Sequence, residues 1–326
     1  MNTRPFGHSK RQVSEIGLGC WQLGGADWGN LDDDRAFEIL NTAADAGVTF
    51  LDTADVYGRG RSETLIGRFL KERGENFFVA TKLGRMPDLY PDGYAEAGVR
   101  AATEASLKRL GVEALDLTQL HCVPPAVLER GEIFEWLRKL RDEGKIRDFG
   151  ASVESMDEAR TCLAQEGLCS LQIIFNVFRQ SPAEIFDECL AKHVGVIVRL
   201  PLASGLLAGK MTKDQAFAAS DHRNYNRDGQ AFNVGETFSG LPFEKGVELA
   251  DALRPWVPAG MLMADMAQRW ILDHEAVSTV ITGASRPDQA RANAAVSSIT
   301  PLPPDLHEQL AAFYRNKVDP HVRGPV

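Results

Sequence analysis

Short apolar runs rich in β-branched and aromatic residues alternate along this chain with longer segments in which apolar residues return every three or four positions. The opening stretch RPFGHSKRQVSEIGLGCWQLGG sets a Gly7-His8-Ser9 turn between two short apolar pieces, which predicts a hairpin ahead of a first strand over 16–20. Asp32 to Asp34 then offer a cap and favourable helix-dipole charge, and Ala36, Leu40 and Ala43 share one face before Gly47 stops the helix. The strand-then-helix unit repeats from there. LDTADVY is followed by a predicted helix over about 62–71, FFVATK by one over 93–110, and LDLTQLH by one over 127–143. IRDFGAS precedes a helix over 156–165 and SLQIIFN one over 183–192. VGVIVRLP leads into an irregular insertion over about 203–240, with a helix over 243–253 behind it. A helix over 261–272 precedes a last strand over 277–282, and helices over 287–295 and 305–314 follow.

Eight such units in 326 residues predict a single α/β domain over 1–326. The fold expected is a (β/α)8 TIM barrel with an N-terminal β-hairpin and a C-terminal extra helix. An open doubly wound sheet fits less well, because no G-x-G-x-x-G follows an early strand. Polar residues emerge where the apolar strands end, and barrel enzymes carry their sites at those ends. The insertion, rich in Gly, Asn, Asp and Arg, is too long for a connector and is expected to act as a lid.

A formal net charge of -9 with a pI near 5.4 argues against a nucleic-acid partner. The 5 cysteines, at 20, 122, 162, 169 and 189, form no CxxC and no metal-ligand spacing. With no secretory or membrane-spanning apolar run, a cytoplasmic protein with no metal and no membrane partner is expected. Cys122, beside His121, reads as a buried or idle thiol.

Three predicted strands deliver chemistry at their ends: Asp52, with Thr53, Asp55 and Tyr57 just beyond it; Lys82; and His121. A carboxylate, an amine, an imidazole and a phenol brought to one place make an acid-base site. Taken singly, each has a plainer reading, as an ion pair, a rim tyrosine or a core histidine.

Together GLGCWQLGG, LDTADVYG, ATK, LTQLH and ITGASRPDQARAN, in this order over nearly the whole chain, resemble the aldo-keto reductase superfamily. LDTA with Tyr57 five residues past Asp52 is the specific part. The resemblance implies Asp52, Tyr57, Lys82 and His121 as a catalytic tetrad. It also implies a nicotinamide cofactor, most often NADPH with NAD as the other option, held at the barrel mouth without a Rossmann domain. Carbonyl reduction needs a hydride at carbon and a proton at oxygen. An unperturbed phenol has a pKa of about 10, so Tyr57 benefits from the Lys82 cation, for which Asp52 is the partner. His121 would hydrogen-bond the carbonyl oxygen.

At the chain's end, Ser285 is expected to cap a helix whose first turn holds Pro287 and Asp288, with Arg286 as a fork donor. Similarity to the family places Ser285, Arg286, Gln289 and Asn293, next to Gly283, around the adenosine 2'-phosphate and adenine. PLASGLLAGK offers Pro201, Leu202, Ser204, Gly205, Leu206, Gly209 and Lys210 for a loop against the pyrophosphate. Ser152 and Gln172 match positions that hold the nicotinamide carboxamide. The chain departs from the pattern at Ser152-Val153, where many relatives have Ser-Asn, and lacks their lysine near Gly283 and arginine at Gln289. It also carries Arg199-Leu200-Pro201-Leu202 in place of Tyr-Ser-Pro-Leu. Arg199 is therefore expected to stack on or flank the nicotinamide and to disfavour NADP+ relative to NADPH. Trp21, Trp28, Met86 and the residues after it to Tyr94, Cys122, Val123 and the long insertion are expected to line a pocket for a small-molecule carbonyl or alcohol substrate. Two other readings are a nicotinamide-binding regulatory subunit with little turnover, and a phosphate-dependent barrel isomerase.

Overall fold

The computed structural model describes residues 1–25 and 31–324. Its first strands, β1 (Thr3–Phe6) and β2 (Arg11–Ser14), pair antiparallel as the expected hairpin. Gly7 opens their turn at φ 51°, and a Cβ there would lie 2.4 Å from the Cys169 carbonyl oxygen, so only glycine fits.

Eight strands then close a parallel barrel: β3 (Ile16–Gly19), β4 (Phe50–Asp52), β5 (Phe78–Leu83), β6 (Leu115–His121), β7 (Ile146–Ser152), β8 (Leu168–Ile174), β9 (Gly195–Arg199) and β10 (Val277–Gly283). They run round the barrel in chain order, with β10 beside both β9 and β3. Between them lie α1 (Asp33–Asp45), α2 (Arg61–Arg73), α3 (Glu96–Leu110), α4 (Pro125–Arg130), α5 (Glu132–Asp142), α6 (Met156–Leu163) and α7 (Phe186–Ala191). The second half adds α8 (His222–Tyr225), α9 (Phe243–Leu253), α10 (Met263–Leu272), α11 (Pro287–Ala295) and the terminal α12 (Pro304–Phe313).

Two departures from the periodic reading have local causes. The helix expected over 127–143 is two, because Gly131 at φ 77° ends α4 and starts α5. The one expected over 183–192 opens as a 3-10 turn, Ser181–Ile185, around Pro182, and becomes α-helical only at Phe186.

The core has two layers. Strand and helix side chains fill the space around the barrel. A second cluster inside it is plugged from below by the hairpin, where the Phe6 ring sits 5.6 Å from Phe50 and 4.8 Å from Phe78. The barrel is thus sealed at the hairpin end and open at the strands' C-terminal ends. The insertion is not a slack lid. Phe217, Phe238 and Phe243 pack ring on ring, Asn176 donates to the Leu200 carbonyl and the Ser239 hydroxyl, and Arg323 from the tail donates to the Gly240 carbonyl.

Arg4 clasps the hairpin to the barrel by donating to the carbonyls of Leu272 (2.5 Å), Val277 (2.8 Å) and His274 (3.2 Å) and pairing with Glu15 at 2.9 Å. Arg4→Met should cost about 2–4 kcal/mol in urea unfolding, since it removes the counter-charge of Glu15 and the side-chain donor to the Leu272 and Val277 carbonyls. A loss under about 0.5 kcal/mol, the range of ordinary surface changes, would show that the clasp is not structural.

Candidate active site

The site follows from strand register. Asp52 ends β4 opposite Ala80 of β5, and Lys82, two residues further along β5, emerges on the same inward face. Lys82 is opposite Gln119, His121 opposite Ser152, and Ser152 opposite Gln172. Five neighbouring strands, β4 to β8, thereby aim polar side chains at one point above the apolar plug.

Lys82 is 1% exposed and its ammonium donates to Asp52 Oδ1 at 2.5 Å, the Thr53 carbonyl at 2.9 Å and the Tyr57 hydroxyl at 3.4 Å. The other carboxylate oxygen of Asp52 accepts from Gln172 at 2.7 Å and Gln119 at 3.3 Å. Burial works against the ammonium, but the Asp52 charge, with Tyr57, holds its pKa above the ordinary lysine value. Tyr57 lies in the turn after β4, between Trp21 (ring centroids 6.0 Å apart, stacked) and His121 (5.7 Å, edge-on). Burial raises its phenol to about 12, a larger effect than the opposing pull of Lys82. His121 is held well below its usual pKa by burial and then by Lys82, Arg85 and Arg199, so its imidazole is neutral at pH 7.

These groups open into a cavity of about 690 Å³. Its walls run from Tyr57 and His121, past Ser152 and Gln172, to Ser285 and Gln289. Leu200, Ala203, Ser204 and Gly205, at φ 52°, 48°, 56° and 101°, curl the backbone against it after β9. Left-handed backbone at non-glycine residues is costly and concentrates at functional turns.

The aldo/keto reductase family model matches residues 15–315. The chain belongs to the aldo/keto reductase family. It is similar to Aldo-keto reductase YhdN of Bacillus subtilis, 32% identical over 295 residues that cover 89% of this chain and 86% of that one. It also resembles the NADH-specific methylglyoxal reductase of Escherichia coli, 29% identical over 321 residues covering 92% and 94% of the two chains. Among solved structures, the glycerol dehydrogenase AKR11B4 of Gluconobacter oxydans superposes with a TM-score of 0.79 at 29% identity, covering 99% of this chain and 97% of that one. Family membership makes the protein an oxidoreductase of a kind that binds a nicotinamide cofactor and acts on small carbonyl compounds. Among the described residues, no helix is long and apolar enough to cross a membrane.

Within this aldo/keto reductase, Trp21, Cys122, Arg199, Pro201, Leu202, Ser204, Gly205 and Gly283 also line the cavity. Burial pushes the Cys122 thiol up to about 12 despite Arg199, in keeping with an idle group. Several expected residues do not reach the cavity wall. Leu206 is buried against α9 at Gly246, Gly209 packs on Met263, and Lys210 is exposed past the turn. Met86 lies outside the lining, and Val123 is buried beneath Gly84. Asn293 contacts the Gly283 carbonyl at 3.4 Å from outside, and Arg286 is exposed and paired with Asp288 at 3.0 Å. Trp28 lies outside the described residues. Ser285 does not cap α11: Arg286 is the N-cap residue, and Gln289 instead reaches back to accept from the Ser285 amide (2.8 Å) and hydroxyl (3.1 Å).

Arg199 faces the cavity, but its charge is not bare. Its guanidinium pairs with Glu236 from the insertion at 2.5 Å and donates to the Val153 carbonyl at 3.0 Å. The bias against an oxidised ring expected from a lone cation is weakened accordingly. Gln22 and Arg85 line the cavity without having been singled out from the sequence, and the insertion, expected at the pocket as a whole, contributes Arg223, Tyr225, Phe232 and Glu236. Gln22 stands next to Trp21 in a loop already marked, whereas the insertion residues carry no periodic signal.

Asp55, behind Tyr57, is 3% exposed, and neither carboxylate oxygen completes a hydrogen bond among the described residues. Burial, with Glu63 nearby, raises its pKa to about 7. Because the folded pKa is above the unfolded one, the unfolded chain gives up this proton first, and stability falls as pH rises from about 4 to 7. Asp55→Asn should therefore stabilise the protein by roughly 1.4 kcal/mol per pH unit across that window, level off above it, and do little below pH 4. Urea unfolding at several pH values checks this, and a gain independent of pH would refute it.

Proposed function

We propose that the protein is an NADP(H)-dependent oxidoreductase that reduces aldehydes or ketones to alcohols, or runs the reverse, with Tyr57 as general acid/base. The observation that carries this reading is the Tyr57 hydroxyl held 3.4 Å from the Lys82 ammonium at the open end of the barrel, with His121 beside it. A phenol kept at about 12 stays protonated at neutral pH and is ready to donate. As negative charge develops on the carbonyl oxygen, the proton leaves Tyr57 and the adjacent ammonium stabilises the phenolate left behind. Asp52 fixes that ammonium, and Gln172 and Gln119 fix Asp52. Neutral His121 has an N–H to offer the same oxygen and so orients it without supplying the proton. In the alcohol-to-carbonyl direction Tyr57 must first be deprotonated, which its raised pKa opposes.

The residues present suit a dinucleotide. The positive-φ turn over 203–205 makes a cradle, the buried Gln22 side-chain oxygen has no described partner, and Gly283, without a Cβ, lets the Gln22 amide lie against the backbone at the cavity wall. When bound, the nicotinamide supplies or takes up the hydride at the substrate carbon. In this reading Ser152 and Gln172 hold its carboxamide, Ser204 and Gly205 the pyrophosphate, and Ser285 and Gln289 the adenosine end, all of them on the wall of the one cavity. NADP is favoured by Arg286, an exposed fork donor that can leave Asp288 for a 2'-phosphate. Five buried, unbridged cysteines suit a reducing cytoplasm.

Tyr57→Phe should lower kcat for aldehyde reduction by about 10²–10⁴-fold while NADPH, followed by fluorescence, still binds within a few-fold. Unchanged turnover would remove Tyr57 as the acid. Arg286→Ala should raise the KM for NADPH roughly tenfold, as for a lost charge-assisted hydrogen bond, and leave that for NADH nearly unchanged. Equal effects on both cofactors would show that Arg286 does not read the 2'-phosphate.

A further inference from the structure

The cavity wall carries three arginines in different states. Arg199 is neutralised by Glu236, and Arg223 is held by both carboxylate oxygens of Asp221, the closer at 2.6 Å. Arg85 differs. It stands three residues past Lys82, just beyond β5, and its guanidinium makes no hydrogen bond among the described residues. Its one ion pair, to Glu154, is 3.8 Å long, beyond hydrogen-bond range, and the side chain keeps 21% of its surface exposed. The Tyr90 ring lies 5.3 Å from the guanidinium carbon and backs it on one side.

From this we infer that Arg85 is the receptor for an anionic oxygen group, a carboxylate or a phosphate, on the carbonyl substrate. Five N–H donors in a rigid fork, left unmet on the wall of a cavity, match a planar carboxylate or a phosphate better than any neutral substituent. The distance to the reacting groups is short enough for Arg85 to be among the charges that hold the His121 imidazole neutral. A substrate carbonyl at Tyr57 and His121 would therefore have its acidic end within the same cavity. The nearby carboxylates do not cancel this attraction. Glu236 is taken up by Arg199, and Glu154 stands 3.8 Å from the guanidinium, too far to occupy its N–H donors.

The inference rests on the carbonyl-reducing role proposed above, and the test separates the two. In the wild-type protein with NADPH, kcat/KM should be at least about tenfold higher for succinic semialdehyde than for butanal, or for glyceraldehyde 3-phosphate than for glyceraldehyde, as one charge-assisted contact is worth. The two pairs distinguish carboxylate from phosphate. Arg85→Met should bring the favoured ratio close to one, and Arg85→Lys, which keeps the charge and loses the fork, should retain part of it. A wild-type ratio near one in both pairs, or a ratio unchanged in Arg85→Met, overturns the inference while leaving carbonyl reduction standing. Succinate binding followed by thermal shift needs no turnover. If no aldehyde is reduced yet succinate protects the wild type and not Arg85→Met, the carbonyl reading falls and the anion receptor stands; equal protection of both proteins overturns the receptor.

Discussion

The ion pair between Lys82 and Asp52 is the constraint on which the rest of the site depends. Both side chains are almost wholly removed from solvent, at 1% and 2% exposure. Two buried charges are tolerated only when every remaining polar valence is met. Here the Thr53 carbonyl and the Tyr57 hydroxyl complete the ammonium, and Gln119 and Gln172 complete the carboxylate. The requirement spreads over β4, β5, β6 and β8, so strand register and catalytic geometry are one problem. It also places the phenol, because the hydroxyl that satisfies the ammonium is the one facing the cavity.

The barrel supports this by being asymmetric along its axis. Phe6, Phe50 and Phe78 seal one end with rings in contact, and the hairpin that carries Phe6 is held by Arg4. Water is thus kept from beneath the charged pair, which opens toward the mouth. At that end the insertion contributes Glu236, which takes up the guanidinium of Arg199. A segment that looks like a mobile flap from its composition is in fact anchored through the wall of the cavity itself, and it sets which cations there remain available.

Strand positions were legible in the chain because alternation and apolar runs are local properties, and a strand that ends in Asp52, Lys82 or His121 exposes its chemistry by interrupting that run. Helix interruptions were less visible. Gly131 was in plain view, but the helix expected over 127–143 runs straight across it, and the one expected over 183–192 starts past Pro182 without registering the 3-10 turn that the proline opens. Around α11 the expected cap was reversed, since Ser285 and Gln289 can satisfy one another in either direction and only the backbone angle at Arg286 chooses.

What the sequence determined by itself was the alternation of eight strand and helix units and the residue types delivered at their ends, because those follow from the period of side-chain burial. What only the tertiary structure decided was which charges meet. Arg199 with Glu236, Asp55 without a hydrogen-bond partner among the described residues, and Arg85 standing off from Glu154 involve residues dozens of positions apart or in segments without periodicity. Pairing across such separations is set by how a closed barrel brings its loops to one rim, and a linear pattern holds no record of that distance.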